Sequence, residues 1–208
     1  MPAETLVVTE VPVLEDSVDT AIETWRKHNA AHPAPGRSLY RAMDGDTLLE
    51  LLPVAGLDAV AGLRDQWQKL WTELTPVLAG DFRRQVLEFV EAPKNTDDLI
   101  PDTAYIQMRH VEVKPPVFEA YREWRDQTIF DVVRGADEVE AFLAYHSVLS
   151  TEPGVMFVSG FNAEPDAYTA VFTDERYQEI VRQAGDRYIT GGERGLYTKI
   201  YVRVDAEA

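Results

Sequence analysis

The sequence predicts an α+β fold in which one β-α-β-β-α-β unit occurs twice, each copy forming an antiparallel sheet with its helices on one face. Strand and helix patterns follow the same order in residues 1–92 and 104–208. Residues 93–103 between them are polar, contain proline and show no periodicity, as in a linker. The second face of each sheet is apolar and must be buried, so we expect the two copies to pack sheet against sheet.

The composition limits the classes of function. The chain has 208 residues, of which 45% are hydrophobic, as is typical of a globular protein. The absence of cysteine excludes disulfides, thiolate metal sites and cysteine nucleophiles. A net charge of −16 argues against a nucleic-acid partner and disfavours a membrane surface. No signal-peptide pattern is present, and a cytoplasmic protein is expected.

The first half supplies a strand, a helix, a hairpin, a helix and a strand. Asp44-Gly45-Asp46 marks the hairpin turn, because Asp-Gly readily adopts the positive φ of a tight turn. An apolar stripe that includes Trp67 and Trp71 predicts a single helix with both tryptophans in the core. The predicted elements are strand 5–13, a helix capped by Asp16 or Ser17, strands 38–43 and 47–52, helix 57–78 and strand 82–91.

The second half repeats this order with an added helix. The spacing of Val139, Phe142, Leu143, His146 and Leu149 predicts a helix over 137–149, inside a segment, 128–150, that the first half lacks. The other predicted elements are strand 104–113, a helix with Pro116 in its first turn, strands 155–161 and 167–172, a helix capped by Thr173 or Asp174 and ended by Gly191-Gly192, and strand 196–204.

Residue matches between the halves support the duplication. Val13 precedes Trp25-Arg26 in the first half, as Val113 precedes Trp124-Arg125 in the second. Trp25 and Trp124 are therefore predicted to be equivalent. An aromatic residue at one position of both repeats is what packing against a sheet produces, and lining of a pocket would be a by-product.

The tandem units resemble the dimeric α/β-barrel superfamily of ferredoxin-like proteins, which includes antibiotic-biosynthesis monooxygenases, small polyketide cyclases and chlorite-dismutase-like haem proteins. The resemblance covers nearly the whole chain and rests on topology and duplication. It implies an intramolecular α/β barrel with a ligand pocket between sheet and helices in each half. An enzyme is favoured: a cofactor-independent monooxygenase or cyclase of secondary metabolism that acts on a phenolic, polyketide-like substrate.

His146 is the first candidate catalytic residue. The predicted helix places it on an otherwise apolar face, where burial would keep the imidazole neutral and suited to act as a general base. In the alternative of a chlorite-dismutase-like protein, His146 would be the axial haem ligand. The structural alternative is a core histidine bonded to a backbone carbonyl.

The strand over 104–113 provides the other candidate catalytic residues. His110 lies on one face, as a second candidate base or a hydrogen-bonded structural histidine. Arg109 and Tyr105 lie on the opposite face, and the sequence leaves open which face lines a pocket. Arg109 would position the enolate of the substrate. A metal site built from His110, Glu112 and His146 is not expected, because ligand pairs at this spacing are common by chance.

The predicted substrate-binding residues are Trp124, Tyr105, Phe142 and Tyr188, which would form an aromatic pocket in the second half. The first half is then mainly a scaffold, and substitutions at His28 or His32 should matter less than those at His110 or His146. A non-catalytic ligand-binding barrel is the third hypothesis, and homo-oligomerisation through exposed barrel surfaces is left open.

Overall fold

Eight strands rich in β-branched and aromatic residues close into one barrel in the computed structural model, which describes residues 1–190 and 196–205. Each strand pairs in antiparallel fashion with both neighbours, in the order β1-β3-β2-β8-β5-β7-β6-β4 around the barrel. The strands are β1 (Thr5–Pro12), β2 (Ser38–Ala42), β3 (Thr47–Val54), β4 (Arg83–Lys94), β5 (Tyr105–Val111), β6 (Ala141–Leu149), β7 (Val155–Phe161) and β8 (Leu196–Arg203).

The two halves of the chain share this barrel. Strands β1 to β4 form one four-stranded sheet and β5 to β8 form the other. The pairs β2–β8 and β4–β6 join the two sheets edge to edge, so no strand edge is left free. The predicted α+β fold of tandem units that form an intramolecular barrel is therefore confirmed.

The helices lie outside the barrel and cover the outer face of each sheet. They are α1 (Val18–Ala31), α2 (Leu57–Ala61), α3 (Arg64–Leu74), α4 (Phe118–Gln127), α5 (Ile129–Gly135), α6 (Pro165–Ala170) and α7 (Glu175–Arg187). Asp174 caps α7, as predicted, by accepting a hydrogen bond from the backbone of Tyr177 at 2.6 Å. Gly191-Gly192, predicted to end this helix, lie outside the described residues. Among those residues, no helix combines the length and the apolar character that crossing a membrane requires.

Two predicted elements of the second half are wrong. Residues 137–149 contain strand β6 rather than a helix, and residues 167–172 contain most of helix α6 rather than a strand. Strand β6 is covered on both faces, so apolar residues occupy consecutive positions and helical spacing arises by coincidence. The start signal of α6 is Pro165 at its first position. The added helix of the second half is therefore α5 alone.

In the first half, the helix predicted over 57–78 is interrupted. Gly62 ends α2, α3 begins at Arg64, and a 3-10 turn follows over Thr75–Val77. Trp71 is 43% exposed rather than in the core, because α3 turns this part of its apolar stripe away from the sheet.

Alternate residues of each strand face the barrel interior or the helix layer. The interior is filled by one apolar cluster that includes Leu6, Leu49, Ile106 and Leu143. A second cluster lies between the outer face of the second sheet and its helices, with Phe157 near its centre. Smaller clusters occupy the same layer in the first half.

The repeat fixes which residues of the two halves are equivalent. Helices α1 and α4 begin at Val18 and Phe118, 100 residues apart, and each follows a 3-10 turn with the same spacing. Trp25 is therefore equivalent to Arg125. The predicted equivalence of Trp25 with Trp124 is wrong by one residue, because the repeated Trp-Arg pair is shifted by one position between the halves.

Candidate functional site

The carboxyl group of Glu50 is buried beneath helix α1. Glu50 lies in the middle of β3 between leucines and is 3% exposed. Its Oε1 accepts a hydrogen bond from Trp25 Nε1 at 3.1 Å and lies 3.5 Å from Arg37 Nε. Burial raises the pKa of Glu50, and the nearby Arg37 guanidinium and the Trp25 hydrogen bond oppose that rise. A buried carboxyl with a raised pKa has the properties of a general base or acid.

Three side chains of the first sheet form a row that faces the same helices. In the strand register, Thr9 of β1 lies beside Glu50 on one side and beside Arg84 of β4 on the other. The Arg84 guanidinium lies over the rings of Trp67 and Phe82, 4.6 and 4.5 Å from their centroids. Burial lowers the pKa of Arg84, and the Glu50 charge opposes this shift. Glu50 thus lies beside the Arg37 guanidinium, and Arg84 lies one strand further along the row, with Thr9 between them.

The same region contains an unusual concentration of unsatisfied polar atoms. Buried side-chain nitrogen and oxygen atoms almost always have a hydrogen-bond partner, so a cluster without partners indicates bound water or a ligand. In this region the buried atoms that lack a partner among the described residues are Thr9 Oγ1, Asn29 Oδ1, His32 Nε2, Arg37 Nε, and Nε and Nη2 of Arg84. We refer to Glu50, Trp25 and the residues of these atoms as the polar chamber. The other buried atoms without a partner lie elsewhere, at the hydroxyl groups of Tyr40, Tyr121 and Tyr145 and at Nε and Nη1 of Arg125.

A groove of about 420 Å³ reaches the surface next to the polar chamber. Arg84 belongs to both, and Trp67 and Trp71 form the aromatic part of the groove wall. A flat, partly polar molecule in the groove would contact the aromatic side chains, with the charged groups of the polar chamber next to them.

His28 and His32 border the chamber on α1 and its end. Their rings are 4.7 Å apart, and His28 Nδ1 lies 3.0 Å from Glu73 Oε2. Burial lowers the pKa of His28, and the bond to Glu73 opposes this. The first half, predicted to be mainly a scaffold, therefore holds the densest group of buried titratable side chains described here.

In the second half, Arg109 faces the helix layer and His110 faces the barrel interior. Arg109 Nε donates to Thr198 Oγ1 at 3.2 Å and Nη1 donates to Tyr177 Oη. His110 Nε2 lies 3.2 Å from the carbonyl oxygen of Pro153, and its ring packs on Tyr197. The structure therefore places the two predicted catalytic residues on opposite sides of one sheet.

His146 is in neither of these places. It lies near the end of β6 and is exposed, because β6 is a strand whose last residues project beyond the helix layer. Its ring meets Phe118 edge-on, 5.6 Å between centroids. The prediction of a buried imidazole on a helix is wrong. A catalytic role for His146 stays a prediction that no described contact supports.

The four predicted substrate-binding aromatics all pack with one apolar cluster in the second half's helix layer, where only Trp124 and Tyr188 pack on each other. Trp124 contacts Tyr188 with 5.1 Å between centroids, Tyr105 stacks on Phe161, and Phe142 packs against Phe157. These contacts are those of a core, and the aromatic pocket predicted from them is not formed by these residues together.

His146 and His110, the histidines considered for the second half, do not have the placement that the haem alternative requires of an axial ligand there. His146 is exposed at a strand end, and His110 faces the barrel interior with its Nε2 at a backbone carbonyl. Neither offers an axial nitrogen towards a space between sheet and helices. Within residues 1–190 and 196–205, no three His, Cys, Asp or Glu side chains converge as a metal site requires.

Sequence reasoning missed Glu50, Arg37 and Arg84. A signal for Glu50 was present, because a single acidic residue interrupts the apolar run Leu48-Leu49-Glu50-Leu51-Leu52. In a strand covered on both faces, such a charge is costly and is retained where it has a partner or a function.

These features define a tandem ferredoxin-like protein whose two units close one barrel, with a buried acid under the helices of the first unit. Its fold is similar to an anthrone oxidase-like protein (TM-score 0.69, 14% identity, 96% of this chain and 91% of that one). It is also similar to a proposed monooxygenase from Fusobacterium nucleatum (TM-score 0.68, 10% identity, 97% and 93%). A heme-degrading enzyme from Listeria monocytogenes shares the fold as well (TM-score 0.58, 7% identity, 95% and 98%).

No family model and no curated protein matches the sequence. At the identities found, the structural likeness establishes the fold, and the resemblance predicted from the duplication is confirmed at that level.

Proposed function

We propose that the protein is a cofactor-independent monooxygenase that oxidises a phenolic, polyketide-like substrate in the polar chamber of its first half. The observation that carries this proposal is the buried Glu50 carboxyl, which is hydrogen-bonded to Trp25 and lies beside Arg37, with Arg84 in the same row of the sheet. The monooxygenase-like and anthrone oxidase-like names of the structural neighbours support the reaction class.

The proposed chemistry starts with proton abstraction. Glu50 takes a proton from an acidic methylene or hydroxyl group of the substrate, for which a raised pKa is suited. The anion that forms is stabilised by the guanidinium groups of Arg37 and Arg84 in a site shielded from water. The unpartnered Nε and Nη2 of Arg84 are the donors available for it, whereas Arg37 Nε already lies 3.5 Å from Glu50 Oε1.

The electron-rich anion then reacts with O2, which is the oxidant. For a methylene between aromatic rings, the carbon gains one oxygen atom as a carbonyl. The other oxygen atom leaves with the two methylene hydrogens as water, so atoms and electrons balance. A cyclase would use the same abstraction step without O2, and oxygen consumption separates the two reactions.

The test uses 1,8-dihydroxyanthrone as substrate, followed by oxygen uptake and by the absorbance of the quinone product above the buffer rate. We expect wild-type protein to accelerate both and Glu50→Gln to lower turnover by about 10²–10⁴-fold. Glu88→Gln, which changes an exposed strand carboxylate, is the matched control. Wild-type protein without acceleration, or Glu50→Gln with full activity and an unchanged melting temperature, would overturn the proposal.

A further inference from the structure

The second half contains a cleft whose chemistry is the opposite of the polar chamber. The strand registers place Arg109 at the position of Thr9, Phe157 at that of Glu50, and Thr198 at that of Arg84. The buried acid of the first half is thus replaced by an aromatic ring, and the sheet residue beside it is now a cation. The row therefore contains an acid and a cation in the first half and a single cation, Arg109, in the second.

The cleft is a cavity of about 450 Å³ between β5, β8 and α6, and Arg109 forms part of its wall. Arg109 is 7% exposed. Both of its described hydrogen-bond partners, Thr198 and Tyr177, are hydroxyl groups, and no carboxylate pairs with it among the described residues. A guanidinium this deeply buried without a counter-ion is costly, which favours binding of an anion.

A second donor lies beside Arg109. The Gln107 side chain lines the same cavity, and its Oε1 accepts a hydrogen bond from Tyr168 Oη at 3.2 Å. Tyr168 Oη also lies 2.8 Å from Ser159 Oγ, and its single hydroxyl hydrogen is donated to Gln107 when the Ser159 hydroxyl donates to Tyr168. With its oxygen engaged, Gln107 presents its amide nitrogen as the group available to a ligand in the described structure.

The side chains that line the cavity favour an aromatic anion with a single negative charge. The Phe172 ring lies under the Arg109 guanidinium, 4.9 Å from its centroid, and lines the cavity. Asp44 and Asp166 are exposed carboxylates at the rim, and Lys199, which also borders the cavity, has Glu10 as its partner at 3.4 Å. A dianion or a phosphate would be repelled at that rim, whereas one negative charge on an apolar ring matches the interior.

We infer that this cleft is a second ligand site that binds an aromatic monocarboxylate, with the carboxylate at Arg109 and Gln107 and the ring against Phe172. No described histidine or carboxylate contacts the Arg109 guanidinium, so its charge is available to the carboxylate of the ligand. The inference is independent of the proposed function, because it concerns the other half of the chain and is tested by binding.

The test is calorimetric titration with benzoate, its neutral isostere benzamide and the dianion phthalate. We expect benzoate to bind and the other two compounds to bind at least tenfold more weakly. Arg109→Gln should abolish benzoate binding. Gln107→Glu, which keeps the acceptor for Tyr168 and adds a negative charge, should abolish it even if Arg109→Gln fails to fold.

Arg84→Gln, in the polar chamber, is the matched control and should leave benzoate affinity unchanged. Equal binding of benzamide, full benzoate affinity in Gln107→Glu, or loss of binding in Arg84→Gln instead would each overturn the inference. A protein that binds benzoate but oxidises no anthrone would retain this site and lose only the proposed function.

Discussion

Trp25 and Arg125 occupy the same position in the two units, and each directs a donor at a glutamate. Trp25 reaches Glu50 of its own sheet, whereas Arg125 reaches across to Glu91, which belongs to β4 of the first half. Arg125 is 1% exposed and its guanidinium is surrounded by the rings of Tyr121, Phe130 and Phe157. One position of the repeat thus holds a catalytic candidate in one half and an ion pair between halves in the other.

The first prediction concerns the asymmetry of this ion pair. Glu91 is partly exposed and also lies 3.8 Å from Arg122, so it remains solvated without Arg125. Glu91→Gln should lower the free energy of unfolding by about 2 kcal/mol, less than the 3–5 kcal/mol of a fully buried pair, since it leaves a buried guanidinium without a counter-charge. Arg125→Met, which fills the volume, should cost less.

Urea unfolding of both variants and of the double variant measures these energies and their coupling. Arg122→Gln, which removes the exposed neighbour, is the control and should change stability by less than 0.5 kcal/mol in either direction, roughly the effect of a surface substitution. The assignment of the pair fails if Arg125→Met proves the more damaging of the two single variants.

The second prediction concerns the pH dependence that Glu50 imparts. Since burial raises the folded pKa of Glu50 above its unfolded value of 4.5, the folded state binds more protons in the interval above pH 4.5. The contribution of Glu50 to stability therefore falls as pH rises through that interval. Glu50→Gln carries no titrating proton, so its stability relative to wild type should increase from pH 4.5 to pH 8.

Chemical denaturation of both proteins at each pH gives this difference, in which the titration of all other groups largely cancels. The same comparison with Glu88→Gln should be nearly flat. A difference that stays constant, or that shrinks towards pH 8, would show that Glu50 is not held in a raised-pKa state.

Whether an element of the fold can be predicted from the sequence depends on how many of its faces are buried. The tandem order, the first hairpin and the cap of α7 follow from local signals, because Asp174 caps its helix and the polar residues Asp44-Gly45-Asp46 separate β2 from β3. The tight Asp-Gly turn expected there is not formed, since Gly45 has no positive φ and four residues, 43–46, connect the strands. Strand β6 could not be assigned in the same way. Both of its faces are buried in the barrel, so Phe142, Leu143, Ala144 and Tyr145 carry no alternation that marks a strand.

The candidate site was harder to predict than the fold. Glu50, Thr9 and Arg84 are far apart in sequence and meet only through the register of three strands. Histidine is a common signal of catalytic chemistry and points to His146, but the burial expected for His146 requires a helix where the structure has strand β6. An acid within an apolar strand was the more informative feature, since its burial needs a compensating partner.

The third prediction concerns the histidines. The sequence predicts that substitution of His146 affects function more than substitution of His28, and the structure predicts the opposite. His146 is exposed and packs only at its edge on Phe118, so His146→Ala should change stability by less than about 0.5 kcal/mol and leave anthrone oxidation intact. His28 is buried and bonded to Glu73, so His28→Ala should cost about 1–3 kcal/mol through the lost packing and the lost hydrogen bond, while the exposed Glu73 carboxylate remains solvated.

Two alternatives are compared, a catalytic site in the second half and the polar chamber in the first. We measure the melting temperature and the turnover of both variants in parallel with those of His110→Ala. Loss of activity in His146→Ala or His110→Ala at unchanged stability would favour the site predicted from the sequence in the second half. Loss confined to His28→Ala and His32→Ala would favour the polar chamber.

The fourth prediction uses two adjacent arginines that the alternation of β4 places on different faces. Arg84 faces the chamber between the rings of Trp67 and Phe82, whereas Arg83 is exposed. Arg84→Gln should lower kcat by about 10²–10³-fold, the usual effect of losing one donor to a developing anion, with a smaller change in KM. Arg83→Gln has the same change in net charge and should leave both constants unchanged. Steady-state kinetics with 1,8-dihydroxyanthrone measures this pair, and equal losses in the two variants would mean that overall charge, rather than the position of Arg84 beside Glu50, governs turnover.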